Sequence, residues 1–296
     1  MTPAPRQDTP PHQHTPHRIA VLGAGVMGTG IAALAVGHGV PVLLVDTDVQ
    51  QLDRAKTGID QELRMAQLMG RLPTGTTPGS LETATTTAVV GEVTAVIEAI
   101  TEITELKAEA LADVSARVRP GTPLISNTSS IPIDQLAGHA IRPSDVAGTH
   151  FMNPPYLIPT VEVIRGARTG EDTMAAVGSL LTALHRRQVV VRDAPGFVTS
   201  RVLHPMINDA ARVVQEGTAT AEAVDALMEG CLGHPTGPLR TADLIGIDNL
   251  VDSLNVLHQH TGDDGCSPCD LLLEKVHKGE LGRKSGRGFY DYQEEN

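Results

Sequence analysis

The chain has 296 residues, 41% of them hydrophobic, and a formal net charge of −12. That length buries one large core or two, and the acidic balance excludes the basic face that nucleic-acid binding needs. No apolar run reaches the ~20 residues of a membrane span, and the sparse cysteines (Cys231, Cys266 and Cys269) fit a reducing cytoplasm rather than a disulfide scaffold.

Residues 1–17 are rich in Pro, Thr and His and lack an apolar core, so they are expected to form a disordered lead and not a secretory signal. From residue 18 short apolar runs alternate with helical patterns. Strands are expected at 19–22, 42–45, 95–99, 124–126 and 146–150, each bounded by Gly, Pro or polar residues. Helical spacing covers 32–36, 49–68 and 105–118. Such alternation implies an α/β fold, a doubly wound and mainly parallel Rossmann-type sheet with helices on both faces.

Residues 70–80, rich in Gly, Pro and Thr, read as the exposed tip of a helical insertion. Further strands are expected at 161–164 and 189–191. After Asp193-Ala194-Pro195-Gly196 the character changes to helix. A boundary near Asp193 would separate a dinucleotide domain (18–193) from a smaller all-helical domain (194–296). Over 197–216, Val198, Val202, Met206, Ala210 and Val213 recur at helical spacing and are expected to face the core of the helical domain. Pro205 inside that helix predicts a kink or a register adjustment.

Gly23, Gly25 and Gly28 have the G-x-G-x-x-G spacing of a dinucleotide turn. The first glycine permits the tight turn, the second lets the backbone approach a pyrophosphate, and the third lets helix and strand pack closely. Met27 lies inside this turn and is counted with it. The following helix aims its N-terminal N–H groups at the phosphates. Asp46 ends the next strand about 20 residues on, which is the position of the carboxylate that holds the adenosine ribose. A carboxylate there repels a 2′-phosphate, and Thr47 and Asp48 supply no cation for one, so the expected cofactor is NAD and not NADP.

His150 ends one expected strand and Glu162 lies in the next, joined by a stiff loop with three prolines. In a hairpin about Tyr156 the two side chains would be cross-strand neighbours. A carboxylate on one imidazole nitrogen fixes the tautomer, and the other nitrogen can take a proton from an alcohol. Spacing alone does not decide between that role and a structural histidine. Cys266-Ser267-Pro268-Cys269 has metal or redox spacing but no second pair, and is expected to be a surface turn; no metal site is expected.

From about Arg18 to Tyr292 the chain resembles the 3-hydroxyacyl-CoA dehydrogenase family. The likeness rests on Gly-Ala-Gly-Val-Met-Gly-Thr-Gly-Ile-Ala (23–32), Ser-Asn-Thr-Ser-Ser (126–130), His-Phe-Met-Asn-Pro (150–154), Val-Glu-Val-Ile (161–164), Ala-Pro-Gly-Phe (194–197), Gly237-Pro238 and Gly286-Arg287-Gly288-Phe289-Tyr290, in that order. The resemblance implies His150 as general base, Glu162 as its orienting partner, and Ser129 on the reacting oxygen. It places Glu102, Lys107 and Asn153 at the nicotinamide half of NAD and adds Lys284 as a further cofactor contact. It also implies a homodimer formed through the helical domain.

Three departures qualify the likeness. Ser200 stands where the family usually carries Asn, keeping a donor and an acceptor with shorter reach. Glu62 and Met69 replace a Ser and a Lys that the family uses near the CoA phosphates, a place where carboxylate and thioether cannot bind phosphate; Arg71 is a partial substitute. The loop Asn-Pro-Pro-Tyr-Leu-Ile-Pro (153–159) is similar to relatives acting on small polar hydroxy acids, such as gulonate dehydrogenase and lambda-crystallin. It is also similar to dehydrogenases that oxidise glyceryl-acyl carrier protein toward methoxymalonyl polyketide extender units. The implied activity is therefore NAD-dependent oxidation of a short 3-hydroxyacyl group on CoA or a carrier protein, for which Arg186, Arg187, Arg192 and Arg201 offer a docking patch. A dehydrogenase of a free hydroxy acid and a non-catalytic, crystallin-like NAD-binding protein are the alternatives.

Overall fold

A computed structural model describes residues His17–Tyr292. The expected lead thus lies, His17 apart, outside the described residues. The first part of the chain forms β1 (Ile19–Leu22), α1 (Val26–Gly37), β2 (Val42–Val45), α2 (Val49–Leu68), β3 (Leu81–Ala84), β4 (Ala95–Glu98), α3 (Thr104–Arg117) and β5 (Leu124–Ser126). It continues with α4 (Ile133–Ala137), β6 (Val146–His150), β7 (Thr160–Arg165), α5 (Glu171–Ala183) and β8 (Arg187–Arg192). The remainder is helical: α6 (Thr199–Gln215), α7 (Ala221–Leu232), α8 (Pro238–Ile245), α9 (Ile247–Thr261) and α10 (Asp270–Lys278).

The eight strands make one sheet in the order β3-β2-β1-β4-β5-β6-β7-β8. All pairings are parallel except β6 with β7. The strand order reverses between β1 and β4, which opens a crevice at their carboxyl ends. Both faces are covered, and β1 shows why its sequence is an unbroken apolar run. Ile19 and Val21 pack with α1, α2 and α5, whereas Ala20 and Leu22 pack with α3 and α4. Helix α2 has the bounds its periodicity predicts.

Three expectations need correction. Residues 70–80 are not the tip of a helical insertion; they lead from α2 into β3, an edge strand whose sequence, Leu-Glu-Thr-Ala, carries little apolar signal. The Val198–Val202 stripe of α6 does not face the core: the two are 51% and 66% exposed. The buried face holds Ser200, His204, Ile207, Asn208 and Ala211 together with Ala210, which does face the core as expected, and Val213 packs against that core; Pro205 lies within the helix. Cys266 and Cys269 are not on a surface turn either. Both are buried and free, Cys269 within the core of the helical region, and burial raises both thiols above their usual range.

Two buried carboxylates dock the closing segment on the helices. Asp243 accepts from the Phe289 and Tyr290 N–H groups and the Tyr292 hydroxyl. Asp225 accepts from the Leu239 and Arg240 N–H groups and the Tyr290 hydroxyl. No helix among the described residues is long and apolar enough to cross a membrane.

Candidate active site

The glycine turn joins β1 to α1 at the crevice. A Cβ on Gly28 would lie 1.8 Å from the Gly23 carbonyl oxygen, so only glycine allows α1 to pack this closely on the turn. A Cβ on Gly25 would meet nothing within 4 Å. That open space at the helix N-terminus suits a pyrophosphate. Asp46 at the end of β2 accepts from Ala24 N–H at 2.8 Å and Asp48 N–H at 2.9 Å. Its carboxylate thus holds the turn in shape beside the ribose position. Met27 is half-buried in the first turn of α1. These residues fit NAD: an uncrowded anion cradle, and a fixed carboxylate that disfavours a 2′-phosphate.

Across the switch point, a network that the sequence did not reveal runs from the sheet to Ser129. Glu98 ends β4 with no exposure and Lys107 on α3 is 1% exposed. The ammonium lies 2.7 Å from Glu98 Oε1, 3.2 Å from the Ile100 carbonyl and 3.1 Å from Glu102 Oε2. Glu98 also accepts from Ser126 Oγ at 2.6 Å. Glu102 Oε1 in turn accepts from Thr128 Oγ1 at 2.5 Å, Ser129 N–H at 2.9 Å and Ser129 Oγ at 3.2 Å. Burial would raise the Glu102 pKa, but Lys107 and these donors outweigh it and hold the carboxyl below its ordinary range.

With three acceptors, the Lys107 ammonium has no donor left for a ligand. Lys107 is therefore fully engaged by Glu98, Ile100 and Glu102, of which Glu102 remains exposed. Lys107→Met strands Glu98 as an uncompensated buried charge. It should cost about 3–5 kcal/mol of stability, read by urea unfolding, and Glu98→Gln in the same chain should restore most of it. A loss below about 1 kcal/mol would contradict the network.

His150 and Glu162 are direct cross-strand partners in the β6–β7 register. His150 Nδ1 lies 3.1 Å from Glu162 Oε2 and both are buried. The hairpin expectation is met. A third member, missed by sequence reasoning, is Thr199: its hydroxyl donates to Glu162 Oε2 at 2.7 Å and lies 3.2 Å from His150 Nδ1. Glu162 Oε1 accepts from Val198 N–H at 2.7 Å and Thr199 N–H at 3.3 Å. The carboxylate therefore also caps the start of α6. Burial raises the Glu162 pKa, and the bonds from His150, Thr199 and Val198 more than offset it, so the group sits below the ordinary carboxylate range.

Both neighbours of Nδ1 can accept a proton, so the imidazole carries its hydrogen on Nδ1 and leaves the Nε2 lone pair free. Phe197 packs its ring edge-to-face on His150, centroids 6.1 Å apart. An apolar recess of about 310 Å³ lies behind Glu162 and Thr199, lined by Met152, Ile158, Val189, Val191 and Val198. Asn127, after β5, accepts from Phe151 N–H at 3.0 Å and so fixes the chain just beyond His150.

The other expected residues are less closely gathered. Ser200 is buried in the first turn of α6, next to Thr199. Asn153 is exposed at the start of the proline loop, before a cis bond to Pro154. Lys284 is exposed on the helical region, its Nζ 2.5 Å from Asp248 Oδ2. Arg187 and Arg192 sit at opposite ends of β8, about 16 Å apart at the strand rise, and Arg186 is turned onto the His185 and Tyr156 carbonyls. The four arginines do not form one patch.

The family model for the 3-hydroxyacyl-CoA dehydrogenase NAD binding domain matches residues 18–194, and that for the C-terminal domain matches residues 196–292. A probable 3-hydroxybutyryl-CoA dehydrogenase of Deinococcus radiodurans is 41% identical over 277 residues, 93% of this chain and 100% of that protein. One from Bacillus subtilis is 41% identical over 289 residues, 94% and 98% of the two chains. The crystal structure of (S)-3-hydroxybutyryl-CoA dehydrogenase from Ralstonia eutropha aligns with a TM-score of 0.85 at 34% identity, covering 95% of this chain and 100% of that one. The chain belongs to the 3-hydroxyacyl-CoA dehydrogenase family.

Proposed function

We propose that the protein oxidises the C3 hydroxyl of a short 3-hydroxyacyl thioester, with His150 as general base and NAD as acceptor. The observation that carries this reading is the buried His150–Glu162 pair, with the Thr199 hydroxyl bonded to both, at the crevice end of the sheet. Nε2 of His150 takes the hydroxyl proton, Glu162 supports the resulting imidazolium, and Ser200 and Ser129 hold the oxygen as it becomes a carbonyl. NAD, when bound over Gly25 with its ribose at Asp46, supplies the hydride acceptor, and the reverse reduction uses the same groups. Glu102, Asn153 and Lys284 are assigned to the cofactor, Glu102 with Lys107 behind it. Exposed Val198 and Val202 on α6 support a homodimer formed through the helical domain.

The acyl handle is either CoA, as the names of the relatives suggest, or a carrier protein. Glu62 favours the carrier. Its carboxyl lies on α2 near Gly30, a glycine that also touches Pro155, with one buried oxygen lacking a hydrogen bond, and burial pushes it up to about 7. Such a group repels or ignores phosphate, and the thioether of Met69, half-exposed at the end of α2, offers it no donor. NADH formation should be compared for 3-hydroxybutyryl-CoA, free gulonate and a glyceryl-loaded carrier protein. Turnover of the carrier substrate alone supports the carrier reading, and turnover of the CoA ester supports CoA. Turnover of gulonate alone moves the protein to free hydroxy acids, and turnover of none, with NAD bound, leaves a non-catalytic NAD-binding protein.

A further inference from the structure

The glycine turn is held by a side chain that neither the dinucleotide motif nor the proposed chemistry uses. Gln51, on the first turn of α2, reaches back to the turn and donates from Nε2 to the Ala24 carbonyl at 2.7 Å. Arg54, one residue short of a full turn further on, donates to Gln51 Oε1 from Nη2 at 2.7 Å and from Nε at 3.1 Å. With the guanidinium on its oxygen, the Gln51 amide must present its NH₂ to Ala24. Arg54 also lies 3.6 Å from Asp48 Oδ2, and the Asp48 N–H donates to Asp46. Asp46 in turn accepts from the Ala24 N–H, which closes a ring from one side of Ala24 to the other. Ala24 has no exposure. The second donor on its carbonyl is the Thr29 hydroxyl, at 3.1 Å.

We propose that Gln51 is a positioning residue for NAD: by holding the Ala24 carbonyl it sets the Ala24–Gly25 peptide plane and so aims the Gly25 N–H at the pyrophosphate. This rests on NAD binding and not on the identity of the acyl substrate. The Ala24 carbonyl and the Gly25 N–H belong to one planar trans peptide, so they point in opposite directions. A carbonyl drawn toward α2 turns the N–H to the other side, where a Cβ on Gly25 would meet nothing within 4 Å. That N–H has no partner among the described residues, and no side chain caps α1 at Gly25. Glycine makes the fixing necessary, because without a Cβ the planes on either side of it turn freely. A donor on the carbonyl also polarises the peptide and strengthens its N–H toward an anion. Asp46 fixes the peptide before Ala24, and Gln51 the one after it.

Gln51→Met keeps the length of the side chain and removes the donor. NADH and ADP-ribose, titrated calorimetrically into the full chain, should each bind about threefold to tenfold more weakly, the worth of one hydrogen bond. The two losses should match, because both ligands carry the pyrophosphate and NADH alone carries the nicotinamide. Release of Arg54 works the other way, since a freed cation tightens the binding of an anion. In magnetic resonance spectra of the ligand-free chain, the Gly25 amide nitrogen should move upfield, as it does when the carbonyl of its own peptide loses a donor. A merely structural role for Gln51 would lower the unfolding midpoint and leave both affinities and this resonance in place. Affinities within about twofold of native, tighter binding, or a loss confined to NADH would overturn the proposal. If Gln51→Met does not fold, Gln51→Asn, too short to reach Ala24, reads the same comparison.

Discussion

His150→Ala should lower kcat by about 10²–10⁴, the usual contribution of a positioned general base, while NAD binding and the unfolding midpoint stay close to native. The two halves of that expectation have separate causes. Loss of Nε2 removes the proton acceptor nearest the crevice. The fold survives because Glu162 keeps the Thr199 hydroxyl and two backbone N–H groups when the imidazole is gone, so the missing bond costs about 1 kcal/mol. NADH formation at saturating substrate, with thermal unfolding alongside, checks both. Turnover within tenfold of native in a folded variant would remove His150 from the chemistry.

Much of this site can be read from the chain because its parts are local. The glycine turn, the strand before it and Asp46 form one contiguous unit. The His150–Glu162 pairing follows once a stiff, proline-rich loop is taken as a hairpin, because antiparallel register fixes which side chains face one another. The central strands are legible for another reason: burial on both faces makes their sequences continuously apolar. β3 was not, because an edge strand next to solvent needs no such run.

The missed residues act through long-range packing. Thr199 joins His150 and Glu162 only when the start of α6 docks against β7. Glu98 carries no signal of its own in the sequence, and its contacts with Lys107, Ser126 and the Ile100 N–H explain a carboxylate with no exposure. Helix α6 misled because apolar residues lie on two faces, and its true core face holds Ser200, His204 and Asn208, which hydropathy discounts. A buried polar face is where sequence patterning and chemistry part company, and here it lies beside the active site.

Glu162→Gln should do what His150→Ala does not: damage catalysis and folding together. The native carboxylate accepts four bonds, from His150 Nδ1, the Thr199 hydroxyl and the Val198 and Thr199 N–H groups. A carboxamide has one accepting oxygen, and its NH₂ must face donors on the other side. Either the imidazole loses the partner that fixes its tautomer, or the start of α6 loses its cap. The expected result is a fall in kcat of about 10²–10⁴, as for other orienting carboxylates, with about 1–3 kcal/mol of stability lost at neutral pH. The pH dependence identifies the cause. Because the folded-state pKa of Glu162 lies below its unfolded value, its contribution is fully present above the unfolded pKa and disappears as pH falls through the folded one. The stability gap between native protein and variant should therefore be widest near pH 7 and narrow below about pH 4. Urea unfolding at pH 7 and in acid reads this directly. A gap that stays constant, or widens in acid, would mean that the charge on Glu162 does not hold β7, the imidazole and α6 together.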